Sequence, residues 1–203
     1  TGVSADWAGT AGTATRTLTY TIAAGDSGQA TIDEAALKTA LLGAGITDAA
    51  GNAFVFTGTI ADIDATALPV IDTTAPTLSA TTLPSTALST VAGTAGDNVG
   101  ETITLTVTFD GNVDGLTSGT DSTIFLVGST GVSATWAGTA GTSTRTLTYT
   151  VAAGDSGQAT IDEAALKTAL LAAGITDAAG NAFVFAGTIA NIDATALPLI
   201  DTT

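Results

Sequence analysis

The sequence predicts an all-β fold, made of β-sandwich repeats that each carry one short helix. One observation is the period-two alternation in Thr102–Phe109 (TITLTVTF), which places apolar residues on one face and threonines on the other. A second is the return of this pattern around Leu147 (TRTLTYTV) and in an earlier copy around Leu18. Such strands pack on one side and meet water on the other, so two sheets are expected to face each other.

The third observation is internal repetition. Residues 1–74 recur as residues 130–203, an offset of 130 − 1 = 129, with seven differences. The differing pairs are Asp6/Thr135, Ala14/Ser143, Ile22/Val151, Gly43/Ala172, Thr57/Ala186, Asp62/Asn191 and Val70/Leu199. The period has the size of one domain, so 75–203 is predicted to be a complete repeat and 1–74 the C-terminal part of a preceding one, without its first 129 − 74 = 55 residues. Tandem arrays are usually selected for length or surface rather than for one catalytic site.

Weaker strand candidates fill the rest of the period. They are residues 76–82, 123–127, 132–136, 182–189 and 196–200. Together with the alternating strands they give about seven strands per repeat, separated by Gly, Asp, Asn and Ser, which is typical of an immunoglobulin-like sandwich.

One segment of each repeat predicts a helix instead. Asp162–Leu171 begins with an N-cap aspartate and a glutamate in the first turn, and Asp33–Leu42 is its twin, ended by Gly43. A helix of this length is not stable alone in water, so Leu166, Leu170 and Ile175 are expected to pack on the sandwich.

Composition limits the classes of partner. The chain carries 19 acidic against 4 basic residues, for a formal charge of −15, and it has neither cysteine nor histidine. Such a surface repels nucleic acid and anionic membranes, and it lacks the usual ligands of zinc and copper. Ca²⁺ or Mg²⁺, bound by oxygen ligands, remain open. No apolar stretch is long enough for a transmembrane helix, so direct membrane insertion is not expected.

Two motifs that suggest catalysis are better explained as turns. Gly154–Gly157 (GDSG) and its earlier copy match the tetrapeptide around a trypsin-like serine, but that mechanism needs a histidine base. A glycosidase pair would need two carboxylates set across a cleft, and no motif places them there. We therefore expect no enzymatic activity.

A calcium loop is the more serious hypothesis. Asp110, Asn112, Asp114 and Asp121 stand at positions 1, 3, 5 and 12 of an EF-hand-like spacing, with a glycine at position 6. The last ligand is Asp rather than Glu, and no helices flank the loop. The spacing therefore favours a turn whose acids contribute to a shared site.

The linker Ile71–Pro76, the loop Thr176–Asn181 and the strand Thr102–Phe109 resemble bacterial immunoglobulin-like tandem repeats. Such repeats form the extender regions of large surface adhesins, including calcium-dependent adhesins of the RTX type that leave the cell by type I secretion. The resemblance implies a location at the bacterial cell surface, a spacer role, and neighbouring repeats of the same protein as partners. The helix and the long stretch from Asn181 to Asp201 depart from that pattern.

Calcium is therefore expected at the joints between repeats. One end of each sandwich gathers alternate loops, and the candidate ligands at the joint are Asp26, Asp72, Asp110, Asn112, Asp114, Asp177 and Asn181. At the far end of the complete repeat they are Asp97, Asn98, Asp155 and Asp201. The alternative is that Asp and Asn stand there because they cap turns. Uncompensated acids at a joint would repel one another, which favours the ion.

These observations predict a structural extender module of a surface adhesin, with calcium stiffening its joints. The alternative is a carbohydrate- or cell-binding module, which an exposed Trp136 beside acidic loops would favour. Residues 1–74 lack the strands equivalent to 75–129, so they are expected to expose an apolar face and to pair with a neighbouring chain or another copy.

Overall fold

The computed structural model describes residues 2–58, 68–78, 88–92, 99–185 and 197–203. The chain divides into two compact units, Thr1–Thr74 (unit 1) and Ala75–Thr203 (unit 2). The fold is all-β and immunoglobulin-like, with one helix in each unit, as the alternating pattern predicts. The predicted site residues Asp97 and Asn98 lie outside the described residues.

Unit 1 contains four short strands and one helix in its described part. These are β1 (Asp6–Ala8), β2 (Thr17–Thr19), β3 (Ser27–Gln29), α1 (Glu34–Gly43) and β4 (Val70–Asp72). They form two antiparallel pairs, β1–β2 and β3–β4.

Unit 2 is a two-layer sandwich. Its described elements are β5 (Leu88–Ala92), β6 (Thr102–Val113), β7 (Thr120–Asp121), β8 (Phe125–Val127), β9 (Thr130–Gly131), β10 (Ala134–Gly138), β11 (Thr142–Thr150), β12 (Ser156–Ile161), α2 (Glu163–Ala172) and β13 (Leu199–Asp201). One sheet has the order β5-β6-β11-β10-β7 and the other β13-β12-β8-β9. The strands within each sheet are antiparallel.

The core of unit 2 follows the alternation in the sequence. The apolar residues of β6 and β11 are buried, and the threonines between them are half-buried or exposed. The predicted core positions that are buried are Ile103, Leu105, Val107, Phe109, Leu147, Tyr149 and Val151. In β6 and β11, Leu105 stands opposite Leu147. The period-two interpretation is confirmed because each inward side chain lies in this core.

The predicted helix is confirmed in unit 2. The Asp162 carboxylate caps α2 by accepting the Ala165 N–H at 2.9 Å. Leu166, Leu170 and Ile175 are all buried in the sandwich core. Tertiary burial of this one face therefore stabilises a helix that is too short to persist alone.

The first helix ends at Gly43 as predicted, but this glycine is not the residue that turns the backbone. Gly43 is the last residue of α1, Ala44 is the C-cap, and the left-handed turn follows at Gly45, with a φ of 64°. The twin helix ends at the equivalent Ala172. Glycine and alanine at this position thus give helices of the same length. The glycine that the left-handed turn requires comes two residues later, at Gly45 and Gly174.

Several strand bounds also differ from the prediction. Strand β6 continues past Phe109 to Val113, so residues 110–113 are extended where a loop was expected. In their described parts, the candidates 76–82 and 182–189 form only the isolated bridges Leu78↔Phe109 and Thr176↔Ala182. Strands β5 and β12 were not predicted, and β12 begins within the glycine-rich motif that indicates a turn.

Candidate functional site

A buried arginine lies where β6 ends. Arg145 is fully buried, in phase with Leu147 along β11. Its Nε donates to the Gly115 carbonyl at 2.8 Å and its Nη2 to the Val113 carbonyl at 2.6 Å. Its Nη1 donates to the Thr144 carbonyl at 2.7 Å. The guanidinium therefore fastens the end of β6 and the following turn to β11 through backbone acceptors.

The surroundings of Arg145 explain how a buried cation is tolerated. Burial lowers the pKa of Arg145, and the nearby negative charge of Asp114 acts in the opposite direction. A Cβ on Gly138 would approach the Arg145 Cδ to 2.4 Å, so a glycine leaves room for the side chain. Sequence reasoning missed this residue, although its phase with Leu147 placed it on the inward face.

A tyrosine–aspartate pair closes the turn after β11. The Tyr149 hydroxyl donates to the Asp155 carboxylate, which also accepts the Ala152 N–H at 2.6 Å. Burial and this hydrogen bond raise the pKa of Tyr149 to about 12. In unit 1 the bond between Tyr20 and Asp26 raises the pKa of the hydroxyl and lowers that of the carboxyl. Asp26 and Asp155 thus have a local structural role.

The structure brings two pairs of predicted ligands to the ends of sheets. In unit 1 Ser27 pairs with Asp72, and the Thr73 hydroxyl donates to the Asp26 carbonyl at 2.9 Å. Asp155 and Asp201 have the equivalent placement in unit 2. Asp72 lies at the end of β4 rather than in a linker, because it continues the pairing with β3.

Asp110 and Asp114 fix neighbouring backbone. The Asp110 carboxylate accepts the Thr77 N–H at 2.9 Å and the Thr77 hydroxyl at 2.7 Å. Asp114 accepts the Gly141 N–H at 3.0 Å, and its own N–H donates to the Thr176 carbonyl at 2.7 Å. Asp110 therefore holds the start of unit 2, and Asp114 lies beside the loop that contains Asp177.

That loop is closed by its own side chains. The Asp177 carboxylate accepts the N–H groups of Ala179 and Asn181 at 2.9 and 2.8 Å, and the Asn181 amide at 2.8 Å. Partial desolvation raises the pKa of Asp177, but these hydrogen bonds outweigh it, and the net effect is a lowered pKa. The loop therefore has the internal bonding of an Asx turn.

The EF-hand-like spacing does not form a loop. Asp110 and Asn112 lie on β6, where Val113 is buried. Asp121 accepts the N–H groups of Thr123 and Ile124 at 2.7 and 3.0 Å, so it caps a separate turn. An extended strand cannot wrap an ion as the 12-residue calcium loop does.

In the part of the chain that the structure describes, no three acidic side chains form a group suited to a metal ion. Of the predicted ligands, Asp177 and Asn181 form a directly bonded pair, whereas Asp26 and Asp72 are brought near each other only through the pairing of β3 with β4. Calcium takes six to eight oxygen ligands, so each pair would supply only part of a coordination shell.

The tryptophan of the complete repeat is not on the surface. Trp136 lies on β10 opposite Leu147 and belongs to the core. Sugar-binding sandwiches use exposed aromatic rings, so this position does not provide a sugar-binding platform.

One family model matches part of the chain. Residues 97–179, which are 179 − 97 + 1 = 83 of the 203 residues, match the family model described as the BatD DUF11-like domain. The match indicates a bacterial surface-associated domain of immunoglobulin-like type. No curated protein and no solved structure matches the chain. Within the described residues, no helix has the length and apolar character needed to cross a bilayer.

Proposed function

We propose that this chain is a structural extender module of a bacterial surface adhesin, which projects a ligand-binding region away from the cell. The observation that carries the proposal is repetition, since residues 1–74 and 130–203 differ at only seven positions. A single catalytic site gains nothing from near-identical domains in series, whereas a spacer gains length with each one. The proposal assigns no catalytic role to the repeats and takes neighbouring repeats as their partners.

The linker supports this role because hydrogen bonds fasten most of it. The Gly25 N–H donates to the Thr73 hydroxyl at 2.9 Å, and the Thr74 N–H donates to the Asp72 carboxylate at 2.9 Å. On the other side, the Pro76 carbonyl accepts the Val184 N–H at 3.1 Å. Ala75 is thus flanked by anchored residues, and Pro76 further restricts φ. The chain on either side of Ala75 is therefore held to its own unit.

We further propose that calcium binds at the acidic ends of consecutive repeats. Support comes from the formal charge of −15 and from the placement of Asp26 and Asp72 beside the paired ends of β3 and β4 in unit 1. Carboxylates are suitable ligands for calcium, and an ion would reduce their mutual repulsion. The remaining ligands would come from the next repeat and from water.

The experiment is small-angle scattering on two copies of residues 75–203 joined in the natural order. With calcium we expect a longer maximum dimension and a higher melting temperature than with chelator, and magnesium should substitute poorly because it prefers tighter octahedral geometry. Asp201→Ala in the first copy, at the joint, should remove the effect. The same change in the second copy, at the free end, is the matched control.

The two parts of the proposal fail separately. If the particle is elongated and its maximum dimension changes neither with chelator nor with Asp201→Ala, the extender role stands and calcium at the joint is ruled out. A particle that is compact or coiled in every condition would rule out the extender itself.

A further inference from the structure

One sheet of unit 2 carries an array of threonines on its outward face. Along β6 and β11, four threonines of one strand stand opposite four of the other. The pairs are Thr102/Thr150, Thr104/Thr148, Thr106/Thr146 and Thr108/Thr144. The array continues to the edge of the sheet, because Thr148 also pairs with Thr135 on β10, and Thr135 pairs with Thr120 on β7. We call these ten residues, on four adjacent strands, the threonine face.

The threonine face is open to solvent and rigid. Its residues are half-buried or exposed, since the side chains that alternate with them along β6, β10 and β11 are buried in the core. The hydroxyls of Thr104 and Thr148 share a hydrogen bond of 3.0 Å. A β-branched side chain has few χ1 rotamers, and the strand pairing fixes the position of each Cβ. The hydroxyl and methyl groups therefore stand at defined positions that repeat across the sheet.

The preference of threonine for strands does not account for this uniformity. All eight outward positions in the unbroken pairing of β6 with β11 are threonines. In the described part of the other sheet the positions outside the core are mixed, with Leu126 opposite Thr160 and Gln158 opposite Leu199. If β-propensity alone were responsible, both sheets would show the same array. The uniform array is therefore a property of one face.

The threonine face is also neutral, although the chain has a formal charge of −15. The three charged residues on its four strands lie outside the array. Arg145 is buried in the core, and Asp121 caps the turn after β7. Asp110 lies beyond the last threonine pair and accepts the Thr77 hydroxyl. A neutral face suits an uncharged ligand, and an array without aromatic rings does not suit a sugar.

The spacing of the threonine face fits a crystalline ligand. Successive outward residues on a strand lie about 6.7 Å apart, and neighbouring strands lie about 4.8 Å apart. Water oxygens on the prism faces of ice repeat at comparable intervals in two perpendicular directions. A threonine hydroxyl donates and accepts hydrogen bonds as water does, and the water beside its methyl group has restricted orientations. Ice is therefore the uncharged, periodic ligand that this face matches.

We propose that the threonine face of unit 2 is an ice-binding site. Side chains that are fixed before binding lose little entropy when they join the lattice, so many weak contacts add up. Because the sheet twists, the central pairs of β6 and β11 make the closest match and a single face binds weakly. Each further repeat with this face strengthens attachment, because one bound face holds the next near the ice. The inference goes beyond the extender role and depends neither on that role nor on calcium.

The test measures the growth of ice in the presence of the intact chain. We expect the chain to stop the recrystallisation of fine-grained ice, and to enter ice that grows slowly from dilute solution. Thr106 lies at the centre of the face, opposite Thr146. Thr106→Lys should raise the concentration that stops recrystallisation about tenfold or more, because a long charged side chain holds the lattice away from the array.

Matched variants separate this effect from a loss of folding. Thr168→Lys adds the same charge at an exposed position of α2 and should leave the required concentration unchanged. Thr135→Asp introduces on the face the residue that the first copy of the repeat carries as Asp6, so the repeat accepts it. It should weaken the inhibition as well, but less than Thr106→Lys, because β10 lies nearer the edge of the sheet. Circular dichroism melting checks that each variant stays folded.

Three outcomes would overturn the proposal. One is a chain that is excluded from growing ice and leaves recrystallisation unchanged at every concentration. Another is an equal loss of inhibition with Thr106→Lys and Thr168→Lys, because the site would then lie elsewhere. The third is binding to crystalline cellulose without any effect on ice, which would make a polysaccharide the occupant.

Discussion

Truncating Leu166 to alanine should destabilise unit 2 by about 3 kcal/mol. Leu166 is 0% exposed and belongs to the sandwich core. The change removes three carbon atoms, which at about 0.8 kcal/mol per buried methylene gives about 2.4 kcal/mol before any cavity cost. The cavity raises this figure, since α2 is fixed at its start by the Asp162 cap and cannot collapse freely.

The chain contains its own control for this experiment. Leu37 occupies the same position in α1, within a helix that differs from α2 only at its last residue. It is only partly buried, so Leu37→Ala should cost about 1 kcal/mol or less in unit 1. The two variants therefore share their chemistry and their helix propensity and differ in burial.

The assay is urea unfolding followed by tryptophan emission. In a Trp7→Phe background the emission reports Trp136, and hence unit 2. We expect Leu166→Ala to lower the free energy of unfolding without a change in slope. The reasoning is refuted if Leu166→Ala lowers it no more than Leu37→Ala lowers the stability of unit 1, read from Trp7 in a Trp136→Phe background.

Three further predictions concern single side chains in unit 2 and use the same unfolding assay. Arg145→Lys should lower the free energy of unfolding by about 2 kcal/mol or more, because lysine lacks the planar guanidinium that satisfies the buried carbonyls of Val113 and Gly115. A change within experimental error would contradict the structural role of these hydrogen bonds. Gly157→Ala should lower the free energy of unfolding by about 1–3 kcal/mol more than Gly28→Ala. Both glycines have positive φ, but only a Cβ at Gly157 would contact backbone, at 2.8 Å. Equal losses of stability would contradict this reasoning. The folded-state pKa of Tyr149 is raised to about 12, so above about pH 10 the unfolded chain releases the proton first and stability should fall with rising pH. Tyr149→Phe should flatten that fall, and an unchanged pH profile would count against the Tyr149–Asp155 bond.

The elements that sequence reasoning predicted well are those with a local cause. The inward faces of β6 and β11 follow from alternation, and the start of α2 follows from one capping aspartate. Both signals lie within a few residues of the feature they specify.

The features that sequence reasoning missed depend on distant partners. Arg145 can be buried because carbonyls at the end of β6 accept its hydrogen bonds. No residue near Arg145 in the sequence indicates these acceptors. Strand β12 begins in a glycine-rich motif, and its pairing with β8 and β13 makes it a strand. Asp177 and Asn181 bond each other, yet the same residue types would suit a calcium ligand. Residue type alone therefore does not separate a capping aspartate from a ligand.

The two ends of unit 2 are fastened in different layers, and this determines how the repeat carries tension. The entering chain bridges to Phe109 on β6, whereas the departing strand β13 pairs with β12 in the opposite sheet. A pulling force applied through both ends thus enters one sheet and leaves by the other. It must be transmitted across the side chains packed between them, among them Leu105 and Ile200. The Leu78–Phe109 bridge, the β12–β13 pairing and the packed layers therefore carry the force in series, so the weakest of the three should set the mechanical strength of the repeat.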